Sequence, residues 1–284
     1  MSVKTMVLLG AGQAGSNIAR QISEKYELLC FADNAEEKQG TVLAGLEVVS
    51  LQEALARHPE AVCTCVLDKE RETAMLAQLD ELGFTGERIA ASSLRAFDAR
   101  IATMRMFAER AERLDLPGDI AEAGVYQGDF AVQMSRAFSG RTVHLYDTFA
   151  GFSSEDLTAE EQLGFRRPIK SDFSDTSAEA VLARMPCPED VRMHIGHFPE
   201  SFQETDCRFV FVNLDFDLYE PTRAALPLFW ERLLPGGAII VHDYNGLQFP
   251  GVKQAVDVFC EDARPICLPL SDLHGSILLL KEKS

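Results

Sequence analysis

Four polar residues at the ends of apolar runs carry the most chemistry in this sequence. Asp215 and Asp217 follow Phe209 to Leu214, and His242 and Asp243 follow Ala238 to Val241. Apolar runs without alternation read as strands covered on both faces of a parallel sheet. Neighbouring strands lie roughly 4.8 Å apart, so the groups that trail them can converge on one ion. Carboxylate oxygens that leave positions open for substrate hydroxyls favour Mg²⁺. Imidazole is a poorer ligand for a hard ion, so His242 tilts the site towards Mn²⁺ or towards no metal. A divalent ion held by Asp215, His242 and Asp243 would lower a hydroxyl's pKa and fix the acceptor in line with a reagent. The plainer alternative is that these acids cap loops or pair with Lys and Arg.

Two glycine turns flank the remaining chemistry. Gly10-Ala11-Gly12-Gln13-Ala14-Gly15 fits GxGxxG, and Asp33 follows 18 residues after Gly15. That pattern suits a nucleotide or nucleotide-sugar, with glycines admitting a pyrophosphate and the acid holding a ribose hydroxyl. A tight strand-to-helix turn without a ligand explains it equally. Glu122-Ala123-Gly124-Val125-Tyr126-Gln127-Gly128 has the spacing ExGxxxG instead, which lets the backbone approach a zwitterionic methionine moiety. Asp147 stands 25 residues after Glu122, where a carboxylate can accept both hydroxyls of an adenosine ribose.

The elements that position these groups alternate strand and helix twice. Residues 1 to 91 give a strand at Met6 to Leu9, a helix from about Gly15 to Tyr26, a strand at Leu28 to Ala32, and further alternation as far as Arg88 to Ala91. Leu94 to Leu114 predicts a connector helix with Phe97, Ile101, Met104, Phe107 and Ala108 on one face. Pro117-Gly118 breaks it, and a second alternation runs from Ile120 to Leu280. The expected fold is therefore α/β, with a small N-terminal Rossmann-like domain over 1–91 and a doubly wound domain over 94–284. Phe149 to Thr176 reads as an irregular stretch long enough to form a lid. Phe152, Phe165, Arg166, Arg167 and Phe173 are its candidate substrate contacts.

Composition removes several function classes. A net charge of −17 over 284 residues disfavours nucleic acid and anionic lipid surfaces as partners. No apolar run reaches the roughly 20 residues of a bilayer span, and a cytoplasmic protein is expected. The 7 cysteines are an odd number set mostly in apolar runs, which favours reduced, buried thiols.

The second half resembles the macrocin O-methyltransferase family, the TylF/MycF type. The matching pieces include Pro117 to Tyr126, Asp147 to Phe152, Gly196 to Phe202, Leu214 to Thr222, Pro235 to Tyr244 and Gly251 to Val256. The resemblance implies a class I fold that binds S-adenosylmethionine and methylates a hydroxyl of a small molecule such as a sugar or glycosylated metabolite. It implies that Glu122 and Gly124 line the methionine end, Asp147 the ribose, and Gly196, His197 and Phe198 the adenine. Tyr126 and Thr148 complete the expected cofactor set. It also places Mg²⁺ ligands at Asp215 and at a paired Asp-Asp whose first member is here His242, and makes Asp217 the general base with His242 as the other catalytic candidate. Rival readings are a nucleotide-dependent oxidoreductase or epimerase built on Gly10 to Gly15, and a binding or scaffold protein without turnover. A homo-oligomer is compatible with all of them.

Overall fold

The computed structural model describes residues 3–22, 25–96, 98–165, 173–203 and 206–282. Phe97, Arg166 and Arg167, named above, lie outside them. The chain divides into two compact units, one of residues 1–98 with 271–274 and one of 99–270 with 275–284. Among the described residues no helix is long and apolar enough to cross a membrane.

The first unit runs β1 (Lys4–Leu9), α1 (Gln13–Ala19), β2 (Tyr26–Ala32), β3 (Val42–Leu43), β4 (Leu46–Val49), α2 (Leu51–Ala56), β5 (Ala61–Thr64), α3 (Lys69–Glu81) and β6 (Glu87–Ala90). Its sheet has the order β3-β4-β2-β1-β5-β6 and is parallel except for β3 against β4. Met6, Leu8, Phe31 and Cys63 bury one face, and Val7, Leu9, Cys30 and Val62 the other. Ser50 and Asp68 cap α2 and α3 by accepting the backbone N–H of Glu53 and Arg71. The excursion 271–274 joins this unit because the Asn17 amide donates to the Leu273 carbonyl at 2.6 Å and Leu273 packs on the core. The helix expected to reach Tyr26 stops at Ala19.

The second unit runs α4 (Ala99–Arg113), β7 (Asp119–Ala123), α5 (Asp129–Ala137), β8 (Val143–Asp147), α6 (Ser154–Gln162), α7 (Ala178–Arg184), β9 (Val191–Ile195), β10 (Phe209–Leu214), α8 (Tyr219–Arg232), β11 (Leu233–Val241), α9 (Pro250–Ala263), β12 (Ile266–Pro269) and β13 (Ile277–Leu280). Its seven strands have the order β12-β13-β11-β10-β7-β8-β9, with β13 antiparallel to β11 and to β12 and the rest parallel. β10 is buried along its whole length, as its unbroken apolar sequence requires. Strand order reverses at β7, which pairs with β10 on one side and β8 on the other. In open α/β sheets the crevice at such a reversal, beyond the carboxyl ends of the strands, is where ligands bind. Part of the stretch expected to be irregular is helical: Ser153 caps α6, and Glu160 of that helix is buried and accepts the Tyr219 N–H at 2.6 Å.

Candidate active site

The turn after β7 is the floor of the crevice. Gly124 sits at φ +84, and a Cβ there would lie 2.0 Å from the Asp215 carbonyl oxygen. Only glycine allows the two strand ends to approach this closely. Asp215 N–H donates to the Ala123 carbonyl at 2.8 Å, and His242 N–H to the Leu214 carbonyl at 2.9 Å. The ends of β7, β10 and β11 are thereby laced side by side.

Beside this floor, the Glu122 side chain is buried, with one carboxylate oxygen accepting from the Asn213 amide at 3.0 Å. Its other oxygen has no hydrogen-bond partner among the described residues. Burial, and then the nearby Asp215, push the Glu122 carboxyl well above the ordinary range. A buried acceptor left open at a cofactor crevice fits a cationic group, which would ionise the acid and fill its empty position.

Asp147, at the end of β8, is more committed than a free ribose ligand would be. One oxygen accepts the backbone N–H of Val125 at 2.6 Å and of Tyr126 at 2.9 Å, and the other accepts that of Phe149 at 2.7 Å. A carboxylate has about four acceptor sites, so room remains for one ribose hydroxyl rather than the expected two. Tyr126 itself adopts φ +49 and meets Phe173 edge-on with ring centroids 5.1 Å apart. Thr148 donates to the Gly151 carbonyl at 2.8 Å and holds the turn that follows.

In the loop after β9, Gly196 N–H donates to the Asp147 carbonyl at 3.0 Å, which ties this loop to the end of β8. His197 is clamped between Glu200 and Asp156, each at 2.8 Å. Burial favours the neutral ring, but these two acids outweigh it and raise its pKa. Phe198 is buried and packs against the rings of Tyr146, Phe202, Phe216 and Phe229. Its ring is part of the aromatic core under this sheet edge.

The acidic cluster assembles as the strand order requires. One ligand-capable atom from each of Asp215, Asp217, His242 and Asp243 lies within 4.8 Å of the others. Asp217 and Asp243 hold φ of +64 and +57, a conformation uncommon outside glycine that gathers at functional sites. His242 Nδ1 lies 2.8 Å from Asp215 and 2.9 Å from Asp243, so the imidazole sits between the two carboxylates. Arg100 of α4 also donates to Asp215 at 2.9 Å, with its guanidinium over the Phe130 ring at 4.4 Å.

These contacts set the protonation of the cluster. Burial and Arg100 favour the neutral ring of His242, yet Asp215 and Asp243 prevail and push it up to about 10. Burial alone would raise Asp215, but His242 and Arg100 hold it well below the usual carboxylate range. Asp217 goes the other way: burial, then Asp215 and Asp243, lift its carboxyl well above that range. Asp215 is thus held ionised between two cations, and Asp217 beside it holds a proton more tightly than an ordinary carboxyl.

Arg100 escaped the sequence reading, although a signal was present. It lies on the same helical stripe as the buried Met104, Phe107 and Ala111, and a cation on a buried stripe demands a buried partner. Tyr219 and Tyr244 stand apart from the cluster's hydrogen bonds. The Tyr219 ring meets Phe165 at 5.7 Å, and the Tyr244 hydroxyl is bound to Asp257 and Lys253 at 2.6 and 2.9 Å.

A sequence profile described as macrocin-O-methyltransferase (TylF) matches residues 77–277. The chain belongs to the macrocin O-methyltransferase family. It is 28% identical over 170 residues to mycinamicin III 3''-O-methyltransferase of Micromonospora griseorubida, covering 55% of this chain and 66% of that one. It is 29% identical over 181 residues to a rhamnosyl-tetracenomycin-C 4'-O-methyltransferase of Streptomyces olivaceus, covering 57% and 64% respectively. Among solved structures, the O-methyltransferase NovP superposes with a TM-score of 0.56 at 25% identity over 65% of this chain and 80% of that chain. The alignments span just under two thirds of the length of these curated relatives. Within this macrocin O-methyltransferase family member, the crevice beyond β7 and β10 and the acidic cluster lie at one edge of the sheet.

Proposed function

We propose that the second unit transfers a methyl group from S-adenosylmethionine to a hydroxyl of a sugar-bearing small molecule. The observation that carries this reading is the 2.0 Å approach of a would-be Gly124 Cβ to the Asp215 carbonyl. It joins the donor turn and the acidic cluster at one sheet edge. Family membership, and relatives named for methylation at sugar positions, support the acceptor class.

The residues fit the donor. The open oxygen of buried Glu122 suits the methionine ammonium, Gly124 and Tyr126 form the turn beneath it, Asp147 keeps one acceptor site for the ribose, and Thr148 and Gly196 border the adenosine side. When bound, S-adenosylmethionine supplies an electrophilic methyl on a sulfonium.

The residues do not fit Mg²⁺ as they stand. The position between Asp215 and Asp243 is taken by the N–H of His242, and Arg100 already matches the second negative charge. Mg²⁺ demands near-ideal octahedral oxygen ligands at 2.0–2.1 Å, whereas this pair is already neutralised by nitrogen cations. Chemistry therefore rests on the chain itself. Asp217, whose carboxylate has a raised affinity for a proton, takes the proton of the acceptor hydroxyl when in its ionised form. His242 holds its proton too tightly to serve as that base. With Arg100 it presents fixed positive charge near the oxygen that becomes nucleophilic.

Asp33 does not decide against the oxidoreductase reading: it accepts from the N–H of Ala11 and Ala35 at 2.8 and 2.9 Å and from Lys38 at 3.0 Å, which leaves it one acceptor site, as Asp147 has. The test is a transfer assay with methyl-labelled donor and a panel of glycosides, read by the mass gain of one methylene unit. Isothermal titration with S-adenosylhomocysteine and with NAD(P) runs beside it. Binding of NAD(P) without S-adenosylhomocysteine would overturn the proposal.

A further inference from the structure

We propose that Asp119, His144 and Cys207 form a separate site for a borderline-soft divalent ion such as Zn²⁺, at the amino-terminal edge of the seven-stranded sheet. The strand register brings them together. Asp119 opens β7 and pairs with Phe209, two residues after Cys207, while Ile120 pairs with Val143, next to His144. Donor crevice and acidic cluster occupy the opposite, carboxyl edge of the same strands.

The three ligand-capable atoms lie within 4.8 Å of one another. His144 Nε2 is 3.4 Å from the Asp119 carboxylate and 3.8 Å from Cys207 Sγ. With Zn–N near 2.05 Å, Zn–O near 2.0 Å and Zn–S near 2.3 Å, tetrahedral coordination separates N from O by roughly 3.3 Å and N from S by roughly 3.6 Å. The two distances from His144 thus lie within a few tenths of an ångström of those values. A nitrogen, sulfur and carboxylate set selects Zn²⁺ over Mg²⁺ or Ca²⁺.

The imidazole is also aimed. His144 is 2% exposed, and its Nδ1 lies 3.0 Å from His194 Nε2. The two rings stack at 9°, and Tyr146 stacks on the far face of the pair with centroids 4.2 Å from His194. A metal-ligating histidine usually donates its second ring N–H to such an acceptor, which fixes the tautomer. With Nδ1–H given to His194, Nε2 turns its lone pair towards the carboxylate and the sulfur, and a cation seated among the three would bind all of them. Asp119 and Cys207 are partly exposed, so water can take the fourth position. An ion there would staple the starts of β7, β8 and β10.

Cobalt reads this site without reference to methyl transfer, and sulfur separates it from the acidic cluster, which contains no cysteine. Titration of the whole chain with Co²⁺ should give one equivalent with tetrahedral visible bands and a near-ultraviolet sulfur-to-cobalt charge-transfer band. Cys207→Ser should abolish that band and Asp119→Asn weaken it. Cys260→Ser, which alters the Cys260/Cys267 pair with its 3.6 Å sulfur separation, should leave it intact. X-ray absorption on the zinc-loaded wild type gives a second readout independent of how the variants fold, with one sulfur expected in the first shell. No charge-transfer band, a band that survives Cys207→Ser, or a zinc shell without sulfur would overturn the proposal. In that case a hydrogen-bond chain from His194 through His144 to Asp119 explains the cluster.

Discussion

Changing His242 to aspartate exchanges the cation between Asp215 and Asp243 for a third carboxylate. In the native cluster Asp215 and Asp243 flank His242, and Arg100 also pairs with Asp215; in the variant these two acids and the new one face Arg100 alone. Leaving buried charge uncompensated costs about 3–5 kcal/mol. For a unit of this size each kcal/mol moves the melting temperature by about 2–4 °C, so the metal-free variant should melt about 6–20 °C below wild type. The same change creates the oxygen-rich, doubly negative pocket that a hard ion prefers. Mg²⁺ at about a hundred times its dissociation constant should return about 2.7 kcal/mol, or about 5–11 °C. Differential scanning fluorimetry with and without Mg²⁺ measures both shifts, and Mn²⁺ electron paramagnetic resonance counts the bound ion. The reasoning fails if Mg²⁺ stabilises wild type as much as the variant, because His242 and Arg100 would then not be filling the ion's place.

Turnover of the wild type should persist in excess EDTA; loss of activity restored by Mg²⁺ would return the ion to the mechanism. Asp217→Asn should lower kcat by about 10²–10⁴-fold while S-adenosylhomocysteine affinity by calorimetry stays within twofold, and near-normal kcat would remove the base assignment. Asp147→Ala releases three backbone N–H groups as well as the ribose contact. Charge-assisted bonds contribute about 1.5–3 kcal/mol each, so melting temperature and donor affinity should fall together, and a drop in affinity at unchanged stability would contradict the role in the turn. His197 is raised in the folded state by Glu200 and Asp156 against the opposing effect of burial. Its stabilisation is therefore full below the unfolded value of about 6.5 and is lost as pH rises through the folded value. The melting-temperature gap between wild type and His197→Gln should shrink on going from pH 6 to pH 9, and a gap that widens would reverse the sign.

What was legible in the sequence followed backbone pattern, and what was not depended on side-chain partners. Unalternating apolar runs marked β10 and the core of β11, and their adjacency brought Asp215 and Asp243 together as expected. The partner of a carboxylate has no local signature, which is why Arg100, 115 residues from Asp215, and the sandwiching of His242 were not foreseen. The packing of Phe198 against Phe229 likewise has no local signature, because the motif Gly196 to Phe202 fixes the turn but not what the ring meets. The short strands β3 and β12 went unread because β12 is exposed along its length and β3 is only two residues long, leaving almost no burial pattern to detect.

The two glycine turns share one backbone device and differ in the residue that faces it. In both, the acid ending the second strand accepts the N–H of the residue after the first glycine: Asp33 from Ala11 and Asp147 from Val125. In both, that glycine lies against the carbonyl that ends a neighbouring strand, Gly10 against Cys65 and Gly124 against Asp215. The backbone device is the same, so it cannot by itself specify chemistry. The difference lies in the facing residue. Cys65 is buried, and its thiol is raised well above the ordinary value by its hydrogen bond with Cys63 and by burial, so it offers neither charge nor a reactive thiolate. Asp215 offers a carboxylate held ionised by two cations, with Asp217 and Asp243 beside it. The proposed methyl-transfer site therefore sits where β10 ends, and the glycine turn alone does not determine what it does.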